Sequence, residues 1–242
     1  MLEVRNLQVS YGAIDAVRGV SLTARPGSIT ALIGANGAGK SSLIGAISGV
    51  TPAKGGQILL DGKDITRMLP HERARMGVAH AMEGRRIFHQ HTVEENLITA
   101  WYFRKPQGSF KTALESVYGN FPILEQRRGA KAGTLSGGQQ QMLILSMATL
   151  HAPRFVLLDE PSLGLAPIIV SQIFEFIKEY CAQGDRVVLL SEQMASLALR
   201  VADFGYVLKH GQIVFEGTRE VLTSDAAAEL SSAYLGASKV KA

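Results

Sequence analysis

"SITALIGANGAGKSSLIGAISGV", Ser28–Val50, decides the fold of this 242-residue chain. Its opening, "SITALIG", is an unbroken apolar run closing on glycine, which predicts a buried strand. Its end, "KSSLIGAISGV", has helical apolar spacing and stops at Gly49, a residue suited to a helix C-terminus. Between them "GANGAGKSS" fits G-x-x-x-x-G-K-[ST] at Gly34, Gly39, Lys40 and Ser41, in the strand-then-helix context the pattern requires. Glycines at 34, 37 and 39 let the backbone through Ala35, Asn36 and Ala38 curl, so that successive N–H groups point inward at a β-phosphate. Lys40 then bridges β- and γ-phosphate, the Ser41 hydroxyl takes a Mg²⁺ position, and Ser42 completes the set of candidate contacts. A plain glycine turn entering a helix would need neither the lysine nor the serine.

Further along, "RFVLLDE" drives a second apolar run into the core and delivers Asp159 at its C-terminal edge, where open α/β sheets place their ligands. Asp159 is the candidate Mg²⁺ ligand. Glu160, one residue on, projects differently and can polarise an attacking water. Loop and acid pair together predict a Mg²⁺-dependent nucleoside triphosphatase; an ordinary acidic strand end would not come with the loop.

The rest of the chain arranges itself around these two runs. Residues 1 to about 30 alternate apolar and polar and predict short antiparallel strands. "GQILLDGKDI" predicts a strand pair bent at Asp61-Gly62, and "DRVVLLSEQ" a third buried strand. From about 71 to 150 the spacing predicts helix, with breaks at "KPQGS" and "FPIL". "PIIVSQIFEFIKEYCAQG" and "MASLALRVADF" predict helices, "GYVLKHGQIVFEG" a hairpin turning at His210-Gly211, and "TREVLTSDAAAELSSAYLG" a final helix before a frayed "ASKVKA". Alternating strands and helices argue for an α/β fold, a three-layer P-loop NTPase core with a mainly parallel sheet. An N-terminal antiparallel β subdomain and an inserted α-helical subdomain complete it. The expected organisation is one domain over 1–242. Its ATP-binding core covers 1–85 and 152–223, the helical subdomain about 86–151, and a C-terminal helix and tail 224–242.

Composition narrows the class. Apolar residues make up 46%, enough for a sizeable core, and no stretch reaches the ~18 apolar residues of a membrane-spanning helix. The start, "MLEVRNLQVSYG", reads as a strand and not as a signal peptide. Cys181 is alone, which suits a reducing compartment. A net charge of +4 is spread thinly, with short clusters only at 84–86 and 126–128, so no nucleic-acid partner is expected. The histidines show no metal-ligand spacing, and His89-Gln90-His91 reads as a solvated loop.

"LSGGQQQ", Leu135–Gln141, separates kinds of triphosphatase. Ser136, the amides of Gly137, Gly138 and Gln139, and the positive end of the helix they open make an anion seat. In order and spacing, the phosphate loop, this signature and "LLDEP" resemble the ATP-binding subunits of ABC transporters, over about residues 2–222. The resemblance implies a head-to-tail dimer that sandwiches two ATP molecules, each signature facing the γ-phosphate held by the other subunit. It implies that Tyr11, in "VSYG", stacks on adenine, where the alternative is a core tyrosine at a strand end. It implies that "PSLGLAP", with Ser162 and Gly164 as pivots, communicates across the dimer, and that "TVEENL" opens the helical subdomain that grips the membrane subunits. Trp101, Tyr102 and Phe103, which follow, read equally as an exposed anchor or as subdomain core.

Two positions depart from the wider family. Glu83 stands where glutamine is common, aligned by Val93, and can still face Mg²⁺ or the attacking water. Gln193 stands at the usual switch histidine, aligned by Asp203; its amide can donate to a γ-phosphate but carries no charge. "EGRRIF", "TVEENL", "LSGGQQQML", "LLDEPSLGLAP" and "EQ" together look like one ATPase of the bacterial branched-chain amino-acid importers, the LivF type, where this glutamate and glutamine are usual. His80, Met82 and Met194 depart even from that branch. The resemblance implies ATP and Mg²⁺ as cofactors. It implies as partners a second ATPase subunit (or, in isolation, a second copy of this chain), two transmembrane permeases and, indirectly, a periplasmic solute-binding protein. The location it implies is the cytoplasmic face of the bacterial inner membrane. Importers of other amino acids, amides, urea or aromatic acids, an exporter, or a non-transport ATPase of the same family are the alternatives.

Overall fold

The first strands pair through an alternation that slips by one residue between Val4 and Leu7, where the register shifts and Asn6 takes a φ of 47°. β1 (Leu2–Tyr11) and β2 (Ile14–Ala24) pair antiparallel, sending Leu2, Val4, Leu7 and Val9 inward. β3 (Ser28–Ile33) is buried along nearly its whole length, as expected of a strand covered on both faces. α1 (Lys40–Ser48) follows the phosphate loop and ends on Gly49, whose φ of 84° is the left-handed stop that glycine allows. β4 (Gly55–Leu60) and β5 (Lys63–Asp64) complete a four-stranded antiparallel sheet of order β2-β1-β4-β5. The computed structural model describes residues 1–103 and 108–223. Most of the "KPQGS" break, the last part of the expected final helix and the tail at 224–242 lie outside the described residues.

A second sheet carries the site. After α2 (Pro70–Arg75) come β6 (Val78–Ala81), then α3 (Val93–Tyr102), α4 (Phe110–Asn120), α5 (Pro122–Gln126) and α6 (Gly137–Thr149). β7 (Phe155–Asp159), α7 (Pro167–Ala182), β8 (Val187–Glu192), α8 (Ala195–Ala198), β9 (Phe204–Lys209), β10 (Gln212–Thr218) and α9 (Arg219–Thr223) finish the described chain. The six strands run β10-β9-β3-β8-β7-β6, all parallel except the β9–β10 hairpin.

One expectation needs correction. The block from 71 to 150 is not helical throughout, because β6 lies inside it. "VAHA" is short and poor in β-branched residues; its conformation comes from parallel pairing with β7, Val78 opposite Phe155 through Ala81 opposite Leu158. The break at "FPIL" is real but brief, since Pro122 opens α5 at a position where its missing N–H costs nothing.

Alternation along the parallel strands splits the core into two layers. Ile29, Ala31, Ile33, Val156, Leu158, Val188 and Leu190 face α6 and α7, while Leu32, Phe155, Leu157, Val187 and Leu189 face α1 and the antiparallel sheet. α1 is buried on every side from Leu43 to Ser48 and packs between the two sheets, with Leu43, Ile44 and Ile47 fully buried. Its C-terminal carbonyls are collected by Arg73, which is 3% exposed. Arg73 Nη1 donates to Ala46 O (2.6 Å) and Ile47 O (2.8 Å), Nη2 to Thr66 O (2.8 Å) and Nε to Met68 O (3.0 Å). Burial lowers its pKa, and Asp64 partly offsets that.

Candidate functional site

The C-terminal ends of β3, β7 and β8 meet at one edge of the parallel sheet, and strand order puts β8 between the other two. β3 runs into the loop Gly34–Gly39. Gly34 must be glycine here: a Cβ would lie 2.5 Å from the Leu208 carbonyl oxygen. Gly37 and Gly39 hold φ of 78° and 108°, and at Gly39 a Cβ would also meet the Ala16 carbonyl oxygen at 2.4 Å. Ala35, Asn36 and Gly37 are exposed, while Ala38 and Lys40 are buried and Ser42 is half-buried. The loop therefore offers its backbone outward from a fixed base.

Lys40 is 3% exposed and uses its three protons on Gly34 O (2.8 Å), Ala35 O (3.1 Å) and Glu160 Oε1 (2.9 Å). Ser41 Oγ donates to Asp159 Oδ1 at 3.1 Å, and Ser191 Oγ donates to the same oxygen at 2.6 Å. Glu160 has a φ of 47°, a left-handed conformation that a non-glycine residue keeps only when held. The hold comes from β8: the Glu160 N–H donates to Ser191 O (3.2 Å) and Ser191 Oγ (3.0 Å). Lys40, Ser41, Asp159 and Glu160, singled out from sequence, thus form one contacting cluster.

Two residues in the neighbourhood were not legible in advance. Glu192, the last residue of β8, is 3% exposed, and its carboxylate accepts from Ser162 N–H (3.2 Å) and Ser162 Oγ–H (2.8 Å). Burial pushes its pKa up to about 7; the Ser162 bonds oppose this, Glu160 adds to it and Lys40 opposes it. Arg85, half-buried with φ 49°, brings its guanidinium to 2.6 Å from where a Gly137 Cβ would stand, and to 3.7 Å from that position at Gly164.

The "LSGGQQQ" segment opens α6 as its spacing predicts. Ser136 is the N-cap: its Oγ accepts from Gln139 N–H (3.3 Å), while Gln139 Oε1 accepts from Ser136 N–H (3.0 Å). This box leaves the Ser136 hydroxyl proton free to donate, on an exposed side chain at the positive end of a 13-residue helix. Gly138 is buried, and a Cβ there would meet Ile169 Cγ2 at 2.8 Å, so α6 sits close against the start of α7.

The remaining expected site residues are spread around this edge. Tyr11 is 52% exposed at the end of β1, so it is not a core tyrosine; its hydroxyl lies 3.5 Å from Thr51 Oγ1, beyond α1. Glu83 and Gln193 are both exposed, in the loop after β6 and just past β8, and no side-chain bond joins either to the cluster among the described residues. Trp101 and its followers divide. Trp101 is buried and stacks on His151 at 4.6 Å with the rings 7° apart, whereas Tyr102 and Phe103 are 70% and 78% exposed. Cys181 is buried, and burial raises its thiol to about 11, which leaves it unreactive.

A cavity of about 860 Å³ lies elsewhere, lined by Arg75, Trp101, His151 and Arg154 at the N-terminal ends of β6 and β7. Ligands of open α/β sheets bind at the opposite, C-terminal ends. A smaller groove of about 310 Å³ runs between β6, α3 and α6, bordered by His80, Met82, Phe88, Phe103 and Met147.

Comparison with known proteins accords with this geometry. The family described as "ABC transporter" matches residues 17–163. The high-affinity branched-chain amino acid transport ATP-binding protein BraG of Pseudomonas aeruginosa is 41% identical over 236 residues, spanning 98% of this chain and 100% of the relative. A probable branched-chain amino acid transport ATP-binding protein LivF of Archaeoglobus fulgidus is 35% identical, spanning 92% of this chain and 94% of its own. Among solved structures, an ATP-binding subunit of an ABC transporter aligns with a TM-score of 0.84 at 28% identity, covering 98% of this chain and 100% of that one.

Proposed function

Because the chain belongs to the ABC transporter family, we propose that it is the ATP-hydrolysing subunit of a bacterial importer for branched-chain or related amino acids. The observation that carries this reading is the end-to-end match to BraG, 98% of this chain against 100% of the relative. It lies over a cluster in which lysine, serine and both acids already touch.

The exposed backbone of Ala35–Gly37 would wrap the β-phosphate, and Lys40 would donate to the β- and γ-phosphates in place of its carbonyl partners. Ser41 Oγ and Asp159, 3.1 Å apart, are hard oxygen donors of the kind Mg²⁺ takes alongside phosphate, with Glu83 as a further ligand. Bound there, Mg²⁺ would neutralise charge on the phosphate oxygens. Glu160, held in its left-handed conformation beside Lys40, would accept the proton of the attacking water. Gln193 would donate to the γ-phosphate, and Tyr11 would stack on adenine. Ser136 Oγ–H and the amides of Gly137, Gly138 and Gln139 would close over the γ-phosphate seated in the neighbouring subunit.

On this reading residues 1–242 form one unit whose segment 86–151 faces two transmembrane permeases, with a second ATPase as dimer partner and a solute-binding protein upstream. Its place is the cytoplasmic face of the inner membrane; no helix among the described residues is long and apolar enough to cross a membrane. Glu160→Gln is expected to trap a nucleotide-bound dimer on size exclusion with Mg-ATP and to lower turnover by about 10²–10⁴-fold. Ser136→Arg in the same background should prevent the dimer. A monomeric Glu160→Gln protein that hydrolyses ATP at the wild-type rate would overturn the assignment.

A further inference from the structure

Glu192 plays no part in the reading above, yet it is buried beside the phosphate loop without an ion-pair partner of its own among the described residues. An acid buried to this degree usually sits on a cation. The nearby cation, Lys40, is bonded to Glu160 instead, at 2.9 Å. Two neutral donors from a single residue hold Glu192: Ser162 N–H on Oε1 and Ser162 Oγ–H on Oε2, at 3.2 and 2.8 Å. Meanwhile the backbone carbonyl of Glu192 accepts from Gly34 N–H at 3.2 Å, and Glu192 lies opposite Ile33 in the β3–β8 ladder. One residue therefore grips the start of the phosphate loop with its main chain and the segment after Glu160 with its side chain.

That segment needs a grip. It begins at Glu160 with φ 47° and passes Gly164 with φ 67°, both left-handed. Its internal backbone bonds are Leu163 N–H to Glu160 O (3.2 Å) and Leu165 N–H to Ser162 O (3.3 Å), so Ser162 lies at the middle of the turn. We propose that Glu192 is a positioning residue whose carboxylate clamps Ser162. The clamp sets the direction of the 160–165 turn, with Glu160 at one end and Gly164 at the other, relative to the phosphate loop of the same chain. The charged groups facing it are Glu160 and Lys40. The clamp stands on geometry; its catalytic consequence rests on the ATPase reading above.

The two parts separate experimentally in the full-length protein. Glutamine can accept from Ser162 N–H through its carbonyl and donate to Ser162 Oγ through its amide, so Glu192→Gln keeps both contacts, whereas Glu192→Ala removes them. Hydrogen exchange of a peptide spanning residues 159–166 should quicken by about tenfold or more in Glu192→Ala and stay at the wild-type rate in Glu192→Gln. With the partner ATPase present, Glu192→Ala should lower kcat about tenfold or more while KM for Mg-ATP stays within about twofold. Glu192→Gln should keep most of the activity, and Ser162→Ala combined with Glu192→Ala should be no slower than Glu192→Ala alone. Unchanged exchange in Glu192→Ala, or a glutamine variant as impaired as the alanine one, overturns the clamp. A wild-type protein without ATPase activity whose exchange pattern nonetheless follows these expectations would instead overturn the ATPase reading and leave the clamp standing.

Discussion

Arg73→Met tests how the phosphate loop is supported from behind. The guanidinium makes four hydrogen bonds to carbonyls, two of them at the last turn of α1, whose first turn carries Lys40 and Ser41. Bonds to a charged donor contribute about 1.5–3 kcal/mol each, so the gross loss is about 6 kcal/mol or more. Methionine keeps much of the apolar stem and ends the desolvation of a buried cation, which offsets a few kcal/mol of that loss. The net expectation is a destabilisation of about 2–4 kcal/mol. For a chain of this size that lowers Tm by about 5–15 °C. Thermal unfolding followed by far-UV circular dichroism measures it directly. Arg73→Lys should fall between the two, since one ammonium cannot span carbonyls from Ala46, Ile47, Thr66 and Met68 together. Gly49 is part of the same construction, because a Cβ there would meet Arg73 Nε at 2.9 Å. A methionine variant within about 2 °C of wild type would show that water replaces the guanidinium at little cost, and the reasoning would fail.

Glu192 should also make stability depend on pH. Its folded pKa, about 7, lies above the ordinary 4.5, so the folded state gives up its proton later than the unfolded chain. The associated stability is complete below pH 4.5 and is lost as pH rises through 7. Glu192→Gln removes that loss: its Tm should match wild type near pH 5 and exceed it at pH 8–9, the gap reflecting up to about 3 kcal/mol. A gap of equal size at both pH values would refute this. Gly34→Ala and Gly37→Ala should part company. The first drives a methyl group into the Leu208 carbonyl at 2.5 Å and should yield little soluble protein. The second meets nothing within 4 Å, and its positive φ should cost about 1–2 kcal/mol, readable as a modest shift in a urea unfolding curve.

The parts of the fold visible in advance are those whose local signal agrees with their surroundings. β3, β7 and β8 are unbroken apolar runs, and α1 ends on a glycine that takes the left-handed conformation. β6 was hidden because "VAHA" becomes a strand only through a neighbour that lies 77 positions away along the chain, Val78 opposite Phe155. The chemistry divides in the same way. Lys40, Ser41, Asp159 and Glu160 belong to motifs that name them, and their mutual contacts follow. Glu192 precedes Gln193 at the end of an apolar run, and no local pattern marks it as an acid that β8 buries. Nothing in "EGRRIF" says that Arg85 reaches Gly137, since that contact depends on how α6 lies against the loop after β6. Trp101 and Phe103 share one short aromatic run, and only the turn of α3 decides that the first is covered and the second bare.

The tip of β8 has a consequence for where control can reside. Ser191 and Glu192 tie Gly34, Asp159, Glu160 and Ser162 to a single strand end, so a shift of that end would displace both halves of the nucleotide seat together. A seat bound together in this way has little to gate by itself. On the proposed reading, what can still vary is whether a second molecule arrives in the right orientation, and the pace of turnover would then become a property of that encounter.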